Sequence, residues 1–510
     1  MIKHIPNSSK KIILLCTIAA LFGLQACKKS RSDMGAELYK ATKNKVFKDV
    51  TPEGFAEVFK ATLDSEKAKL TQSTFITNYY QQNDYDPVLV MDQLLKGKVN
   101  FTDDYLSKAN EHGLDPKVFQ AEEINALVKK IKDKKAIKSL DDAYKTLAEL
   151  ELLSANALVN YSNTMQFGLI SPRRIYARYF TATKRPDSLT MGRVFKTNNL
   201  KAYLDSIQPT GDQYKYLQKA LLNGTQVAGL SAEETKRILI VNLERLRWKN
   251  KPTEDKYVIV NIPAYQVDVV ENGKSVMNMK VCVGEGRNVD KGNSLTEYDE
   301  SDKVDRPFCR ETPQLNSMIY VAQVNPVWNI PESIVNNEIV KHAQADPYYL
   351  SNNNIFVFKK GEKIEDAETV DWGSVDLKDY SFKQQPGDDN SLGKIKFLFP
   401  NKSSVYLHDT PAKLPFTKTM RAVSHGCVRL ERPLDMAHAL YGDGGKFEQI
   451  EKMMSEDNPA PTDITLPKKV PVYITYVTCW LEGPAVQFRP DVYGLDIVLY
   501  AHLKKLGAVS

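Results

Sequence analysis

Cysteine and histidine are scarce in this sequence, and their scarcity excludes several classes of protein. The 510 residues include 6 cysteines and 7 histidines, and no two cysteines are spaced as CxxC. This excludes a disulfide framework and a zinc site built on CxxC pairs, although Cys282 and Cys309 could still pair in an exported protein. With 42% hydrophobic and 26% charged residues, the composition is that of two or three globular domains. No repeat of 20–50 residues and no low-complexity tract is present.

The apolar run near the N-terminus is too short to cross a bilayer. It extends from Ile12 to Leu24, which is 13 residues, and three lysines precede it. A basic start, a short apolar run and a small residue before a cleavage point are typical of an export signal. The sequence Leu24–Cys27 resembles the lipobox of bacterial lipoproteins, so we expect residues 1–26 to be removed and Cys27 to be lipidated. Plain secretion and an uncleaved anchor are the alternatives.

The charge is too small to indicate a nucleic-acid partner. The formal net charge is +6, and removal of residues 1–26 takes away three lysines and no acid, which leaves +3. The densest basic run, Lys129–Lys138, is most simply the solvated face of a helix, and contact with an anionic envelope polymer is the alternative.

From Met34 to Lys249 the spacing of apolar residues predicts α-helices. Two helix starts are marked by a serine with an acid three residues later, at Ser139 and Ser231. The first helix is predicted to end near Gly168 and the second near Trp248.

From Tyr257 the period changes to two, which predicts β-strands, and Asn272–Gly273 between two alternating runs predicts a hairpin. Further strands are predicted over Met318–Val324, Ile355–Phe358, Ile395–Phe399, Ser404–Leu407 and Val470–Val477. Without βαβ alternation, these runs predict a mostly antiparallel sheet or sandwich and an α+β fold class. Two segments interrupt the strands, 285–310 and 331–385, and such insertions often act as lids.

The sequence SHGCVRL, residues 424–430, places a thiol among residues that could activate it. A cysteine nucleophile needs a base or a positive neighbour, because its ordinary pKa leaves little thiolate at neutral pH. His425 is nearest and His408 is 19 residues upstream, and the residues alone leave the choice of base open. Gly426 would let a carbonyl and backbone amides approach closely, and Arg429 could bind a carboxylate. Each residue alone has an ordinary structural role, but their co-occurrence favours a site.

The spacing His408-x15-Ser424-His425-Gly426-Cys427 resembles the active-site signature of the YkuD-type L,D-transpeptidases. Longer phrases, among them NPVWNIPESI, SLGKIKFLFPN and YLHDTP, resemble the large Gram-negative murein L,D-transpeptidases over roughly residues 68–503. The resemblance implies a helical scaffold followed by a mostly β catalytic domain with a capping insertion. Two features depart from the family: the long 285–310 loop, and about thirty residues between Tyr214 and Asn242 where many members carry a peptidoglycan-binding domain.

The resemblance also implies roles for individual residues. Cys427 would be the nucleophile and His408, rather than His425, the general base. The remaining implied roles are orientation of the imidazole by Asp409 and its backbone, an oxyanion site of amides around Gly426 and Cys427, pocket structure from Ser424 and His425, and substrate contacts from Tyr406 and Arg429.

The implied reaction crosslinks two peptidoglycan tetrapeptide stems, a donor and an acceptor, through a cysteine thioester, with loss of D-Ala and formation of a 3→3 bond. Water or a protein could replace the second stem as acceptor, which would make the enzyme an L,D-carboxypeptidase or a wall-anchoring transferase. A non-catalytic wall-binding lipoprotein is the alternative from another class. The resemblance implies no cofactor and no metal, and we expect a monomer without nucleic-acid partners.

We expect the protein at the periplasmic face of the envelope, anchored through Cys27 and held by the outer rather than the inner membrane. The expected organisation is a signal peptide (1–26), a helical scaffold domain (27–249), a catalytic domain (256–480) with a capping insertion (331–385), and a C-terminal extension (481–510) that packs on either domain.

Overall fold

The computed structural model describes residues 34–95, 100–286, 305, 310–456, 460–483 and 485–509. The expected signal peptide, Cys27 and Cys309 lie outside the described residues, as does most of the 285–310 loop. Lipidation at Cys27 therefore stays a prediction. Within the described residues, no helix combines the length and the apolar character that a membrane span requires.

The first half of the described chain is helical. Its α-helices are α1 (Met34–Thr42), α2 (Pro52–Glu66), α3 (Ser73–Gln82), α4 (Val88–Leu95), α5 (Phe101–Asp104), α6 (Ala121–Lys132), α7 (Leu140–Phe167), α8 (Pro172–Ile175), α9 (Ser188–Lys196), α10 (Leu200–Ser206), α11 (Asp212–Leu222) and α12 (Ala232–Arg247). Short 3₁₀ turns connect several of them, at Lys45–Asp49, Lys67–Lys69, Leu106–His112 and Pro116–Phe119. The connection between α11 and α12 is only 223–231, and no further domain is inserted at this point of the described chain.

The two predicted helix starts are confirmed. Ser139 Oγ accepts the Asp142 N–H at the start of α7, and Ser231 and Glu234 form a complete capping box at the start of α12. The capping bonds satisfy amides that would otherwise lack a partner in the first turn. The helices end at Phe167 and Arg247, next to the predicted residues.

Helix α7 is the centre of the helical half. It is 28 residues long and buried around most of its circumference, because α2, α4, α6 and α9 all pack against it. Its buried Glu151 accepts the Tyr80 hydroxyl and the backbone N–H groups of Leu89 and Val90. A carboxylate from α7 thus caps the start of α4.

The second half of the chain forms most of the strands. They are β1 (Lys256–Asn261), β2 (Gln266–Glu271), β3 (Lys274–Gly284), β4 (Leu315–Val324), β5 (Trp328–Asn329), β6 (Ile355–Lys359), β7 (Glu362–Ile364), β8 (Tyr380–Gln384), β9 (Ile395–Leu398), β10 (Leu407–His408), β11 (Ala422–Ser424), β12 (Val428–Leu430), β13 (Thr462–Thr475), β14 (Cys479–Glu482) and β15 (Ala485–Phe488).

The main sheet has the order β11-β3-β12-β10-β9-β4-β13-β1-β2, and a further pairing of β2 with β3 closes it on itself. Three pairs are parallel, namely β1–β13, β10–β12 and β11–β3, and the others are antiparallel. The prediction of a mostly antiparallel β-domain after a helical domain, and with it the α+β class, is confirmed. The hairpin is confirmed as well, because Asn272 and Gly273 both have positive φ, 51° and 77°, as a tight two-residue turn requires.

One predicted strand is wrong in its bounds. The sequence indicated Ser404–Leu407, whereas β10 contains only Leu407 and His408. The residues before it form a turn, since Ser404 has a φ of 53° and the Asn401 side chain bonds both the N–H and the carbonyl of Val405. His408 is therefore inside the sheet rather than just beyond it.

The 331–385 insertion forms a small unit with a core of its own. Its strands pair with β5, which directly precedes it, in a sheet of order β5-β8-β6-β7, and its buried side chains include Val357, Trp372 and Phe382. Its helices are α13 (Glu332–Ile334), a π-helix (Val335–Ile339), α14 (Val340–Ala345) and α15 (Tyr349–Asn352), with 3₁₀ turns at Ala367–Thr369 and Leu377–Asp379.

Four elements remain, and the last of them joins the two halves. They are a 3₁₀ turn at Leu414–Thr417, α16 (Pro433–Tyr441), α17 (Gly445–Ser455) and α18 (Leu495–Lys505). Helix α18 packs on α12, where Arg245 and Asp496 form a buried ion pair and Asn242 bonds Thr478. The C-terminal segment thus contacts both the helical and the β half of the molecule.

Candidate active site

The candidate residues meet on one face of the main sheet. His408 on β10 is the register partner of Lys396 on β9 and of Arg429 on β12, and Arg429 is in turn the partner of Cys282 on β3. Side chains of register partners project to the same face. Tyr406 and Cys427 come two residues before His408 and Arg429 on the same two chain segments, so their side chains project to the same face.

A single hydrogen bond fixes the tautomer of His408. Its Nδ1 contacts the carbonyl oxygen of Asp409, which can only accept, so Nδ1 carries the proton and Nε2 keeps a lone pair. Burial lowers the pKa of His408 to about 3, with the charge of Arg429 as the next contribution. The imidazole is therefore neutral near pH 7, and Nε2 can take up a proton.

The surroundings of the partly buried Cys427 thiol shift its pKa in opposite directions. Burial raises its pKa, while hydrogen bonds from Tyr406 and the positive charges of Arg429 and Lys396 lower it. The Tyr406 ring lies 5.6 Å from the His408 ring. Burial and the neighbouring Cys427 raise the pKa of Tyr406, and hydrogen bonding to the Trp328 side chain, at the edge of the capping insertion, lowers it. Tyr406 thus links the insertion to the thiol.

The turn before Cys427 depends on a glycine and a serine. Gly426 has a φ of 115°, which an L residue rarely adopts, although a Cβ there would meet nothing closer than 3.5 Å. Ser424 Oγ donates to the Cys427 carbonyl at 2.6 Å and accepts the Gly426 N–H at 3.2 Å. The Gly426 amide is therefore occupied, whereas the Cys427 N–H has no hydrogen-bond partner in the described part of the chain. Of the two amides expected to form an oxyanion site, the Cys427 amide is the available one.

Thr312 holds the peptide between Gly426 and Cys427. Its hydroxyl donates to the Gly426 carbonyl at 2.8 Å and accepts the Gly284 N–H at 2.8 Å. Its own N–H donates to the hydroxyl of Tyr493, which donates to the Gly284 carbonyl. Because the C=O and N–H of a trans peptide point in opposite directions, fixing this carbonyl also fixes the direction of the Cys427 N–H.

His425 points toward the capping insertion. Its Nε2 lies 2.7 Å from Oε1 of Glu338, in the π-helix, and the same oxygen accepts from Arg310 at 2.6 Å. Arg310 also pairs with Glu285 at 3.1 Å. One carboxylate thus ties the SHGC turn and the 285–310 loop to the insertion.

The carboxylate of Asp409 does not contact the imidazole. It accepts the Lys394 N–H at 2.9 Å and the Lys413 ammonium at 2.8 Å. Gly393 is required beside it, because a Cβ there would lie 2.3 Å from an Asp409 carboxylate oxygen. Of the two contributions expected from Asp409, the backbone carbonyl touches His408 and the side chain shapes the neighbouring turn.

Sequence reasoning missed Lys396, Thr312, Trp328 and Glu338. Lys396 and Trp328 lie in phrases that resemble the family, but such a phrase assigns no contact, and Thr312 and Glu338 lie in none of those phrases. Among the described residues, no group of three or more His, Cys, Asp or Glu side chains is arranged to hold a metal ion.

Comparisons with known proteins assign a family to each half of the chain. A family model described as an L,D-transpeptidase catalytic domain, YkuD, matches residues 255–473, and one described as a Scaffold domain matches residues 74–221. A Haemophilus influenzae protein named "Putative L,D-transpeptidase" is 30% identical over 259 residues, which is 51% of this chain and 48% of that protein. The chain thus matches about half the length of this curated relative.

A solved structure, an L,D-transpeptidase from Mycobacterium smegmatis, covers 43% of this chain and 58% of its own at 11% identity, with a TM-score of 0.19. The two family models and the curated relative show that the chain contains a YkuD L,D-transpeptidase catalytic domain after a Scaffold domain, an organisation that fits the large Gram-negative L,D-transpeptidases.

Proposed function

We propose that this protein crosslinks peptidoglycan by acyl transfer from a tetrapeptide stem through a thioester on Cys427. The observation that carries the proposal is the state of His408. Its Nδ1–H is held by the Asp409 carbonyl and its Nε2 is free to accept a proton, on the sheet face toward which the Cys427 thiol also projects.

In the first half-reaction, Cys427 Sγ attacks the carbonyl between the L-centre of the diamino acid and the terminal D-Ala, while His408 Nε2 takes the thiol proton. Because the pKa of His408 is low and burial raises that of Cys427, the resting pair is neutral, and proton transfer accompanies attack. The Cys427 N–H would stabilise the oxyanion. The proton passes to the departing amine, the C–N bond breaks, and D-Ala leaves.

In the second half-reaction, the side-chain amine of another stem attacks the thioester. His408 takes the proton of the amine, the C–S bond breaks, and the proton returns to the thiol. The product is a 3→3 crosslink. The thioester conserves the energy of the cleaved peptide bond, so the reaction consumes no nucleotide.

The test uses purified wild-type protein and the Cys427→Ala variant with a disaccharide tetrapeptide, read by mass spectrometry. We expect a crosslinked dimer and free D-Ala from the wild type and neither from the variant. Tripeptide without dimer would replace the proposal with an L,D-carboxypeptidase. Binding without any product from either protein would favour a wall-binding role.

The assignment of the base needs a test of its own. We expect His408→Ala to abolish acylation of Cys427 by a carbapenem. His425→Ala should retain acylation, because His425 Nε2 contacts Glu338 instead. Loss of acylation in the His425 variant alone would reverse the assignment.

We further propose that the protein is a lipoprotein of the periplasmic face, anchored through Cys27 after removal of residues 1–26. The supporting observation is the sequence Leu24–Cys27 after a short apolar run. Metabolic labelling with an alkynyl fatty acid should mark the wild type and not Cys27→Ala. Outer-membrane fractions should contain the labelled protein, and its recovery with the inner membrane would place the anchor there instead.

A further inference from the structure

Lys396 is a buried cation without an anion to pair with. Its side chain lies beside the thiol: Nζ is 5.4 Å from the centre of the Tyr406 ring, and only 9% of the residue is exposed. A buried ammonium group is costly unless it is paired. Yet Lys396 makes no contact with a carboxylate among the described residues.

The acids nearest in the sheet are committed elsewhere. Asp463 stands two strands from Lys396 in the same row, and its carboxylate accepts from Gln323, the register partner of Lys396 on β4. Asp409 follows His408 and is paired with Lys413. Neither carboxylate forms an ion pair with Lys396 among the described residues, although the charge of Asp463 acts on it from a distance.

Arg429 is a second cation in the same row, on the other side of His408. It is the register partner of His408 on β12, and its Nε is buried without a hydrogen-bond partner in the described part of the chain. Strands are about 4.8 Å apart, so Lys396 and Arg429 are roughly 10 Å apart along the row, with His408 between them. Two cations therefore flank the imidazole on the face toward which Cys427 projects.

We propose that Lys396 is a substrate-binding residue that pairs with a carboxylate of the donor stem, on the side of His408 opposite Arg429. The inference rests on the proposed function and specifies its substrate. A tetrapeptide that ends in D-Ala and contains a diaminodicarboxylic acid has two carboxylates near the scissile bond, one at the C-terminus and one at the end of the side chain. Two separated cations match two separated anions, and amidation of the stem would remove one of the pairs.

The test compares three donor stems: both carboxylates free, the side-chain carboxylate amidated, and the C-terminal carboxylate amidated. The proteins are wild type, Lys396→Met, Lys396→Arg and, as a matched control, Lys402→Met, since Lys402 is exposed. A charge-assisted contact corresponds to roughly ten- to hundredfold in kcat/KM. We expect the wild type to prefer the free stem over each amidated stem by about that factor, because each amidation removes one charge pair.

Lys396→Met should lose the preference over one of the two amidated stems, with kcat/KM for the free stem reduced to that for this stem, which identifies the carboxylate that Lys396 binds. Lys396→Arg should recover part of it, and Lys402→Met should behave as wild type. Equal use of all three stems by the wild type would overturn the inference without any variant. So would an equal loss on every stem in Lys396→Met together with a shifted pH profile of Cys427 alkylation, because Lys396 would then act on the thiolate.

Failure of the proposed function gives a different pattern. If the wild type turns over none of the stems, binding of the same stems to Cys427→Ala, with and without Lys396→Met, still decides the role of Lys396. Tighter binding of a free than of an amidated stem, abolished by Lys396→Met, supports the inference. Equal affinities contradict it.

Discussion

Replacing Thr312 by valine removes one hydroxyl next to the nucleophile and keeps the shape of the side chain. Thr312 is 2% exposed, and its hydroxyl bonds two backbone groups, the Gly426 carbonyl and the Gly284 N–H, each at 2.8 Å. The valine would leave both groups buried without a partner. Since the Gly426–Cys427 peptide would lose its restraint, stability and catalysis should both change.

The magnitude follows from the two unpaired groups. Each buried unsatisfied group costs ~1–3 kcal/mol, so we expect the free energy of unfolding to fall by about 2–6 kcal/mol. Losing a whole oxyanion donor lowers kcat by about 10²–10³-fold. Because the Cys427 N–H would be misdirected rather than absent, we expect a decrease in kcat of roughly 10–100-fold with little change in KM.

The assay combines denaturant unfolding with steady-state kinetics of D-Ala release, and Thr312→Ser serves as the control because it keeps the hydroxyl. The serine variant should retain most of the wild-type kcat. If Thr312→Val unfolds at lower denaturant but keeps the wild-type kcat, Thr312 does not position the amide. If KM rises and kcat is unchanged, the hydroxyl supports substrate binding instead.

Three further predictions concern other titratable groups. Because the pKa of His408 is lowered to about 3, the rate of Cys427 acylation should stay constant as the pH falls through 6.5 and should decline only toward pH 3–4. A pH–rate profile whose acid limb lies near 6.5 would contradict this. Glu338→Gln should weaken the partly exposed pairs with His425 and Arg310 by ~0.2–1 kcal/mol each. Hydrogen exchange of the backbone amides in 331–385 should therefore accelerate, with little change in Tm. Unchanged exchange would show that Glu338 does not restrain the insertion. Burial raises the pKa of Glu151 to about 7, above its unfolded value of 4.5, so the folded state binds the proton more tightly. The free energy of unfolding should therefore fall by about 3 kcal/mol as the pH rises from 4.5 to 7. Glu151→Gln should flatten this pH dependence in denaturant unfolding, and an unchanged dependence would assign it to another group.

Local rules predicted the parts of the fold that depend on neighbouring residues. The capping serines at 139 and 231 and the Asn272–Gly273 turn satisfy their hydrogen bonds or their φ requirement within four residues, so their sequence suffices. The extent of β10 was not predictable in this way. Its preceding residues have strand-forming side chains, but Asn401 diverts them into a turn that a propensity argument does not register.

The site residues that were missed depend on register between distant segments. Lys396, His408 and Arg429 become neighbours only because β9, β10 and β12 pair in one particular alignment, and a shift of one residue would turn Lys396 to the other face. Thr312 and Glu338 likewise reach the SHGC turn from segments about 90 to 115 residues away along the chain, at His425 and Gly426. No spacing rule connects such positions in a single sequence.

Each residue of the SHGC turn, Ser424–Cys427, has its own contact or backbone conformation, and together these explain the order of the four residues. Ser424 closes the turn by bonding the Gly426 N–H and the Cys427 carbonyl, which commits the first amide to structure. His425 faces Glu338 on the insertion, so a histidine beside the thiol in sequence is directed away from it. Gly426 takes up the φ of 115° that reverses the chain between them, and the restrained peptide after it leaves the Cys427 N–H available. A base therefore has to come from the neighbouring strand, where His408 lies between Lys396 and Arg429.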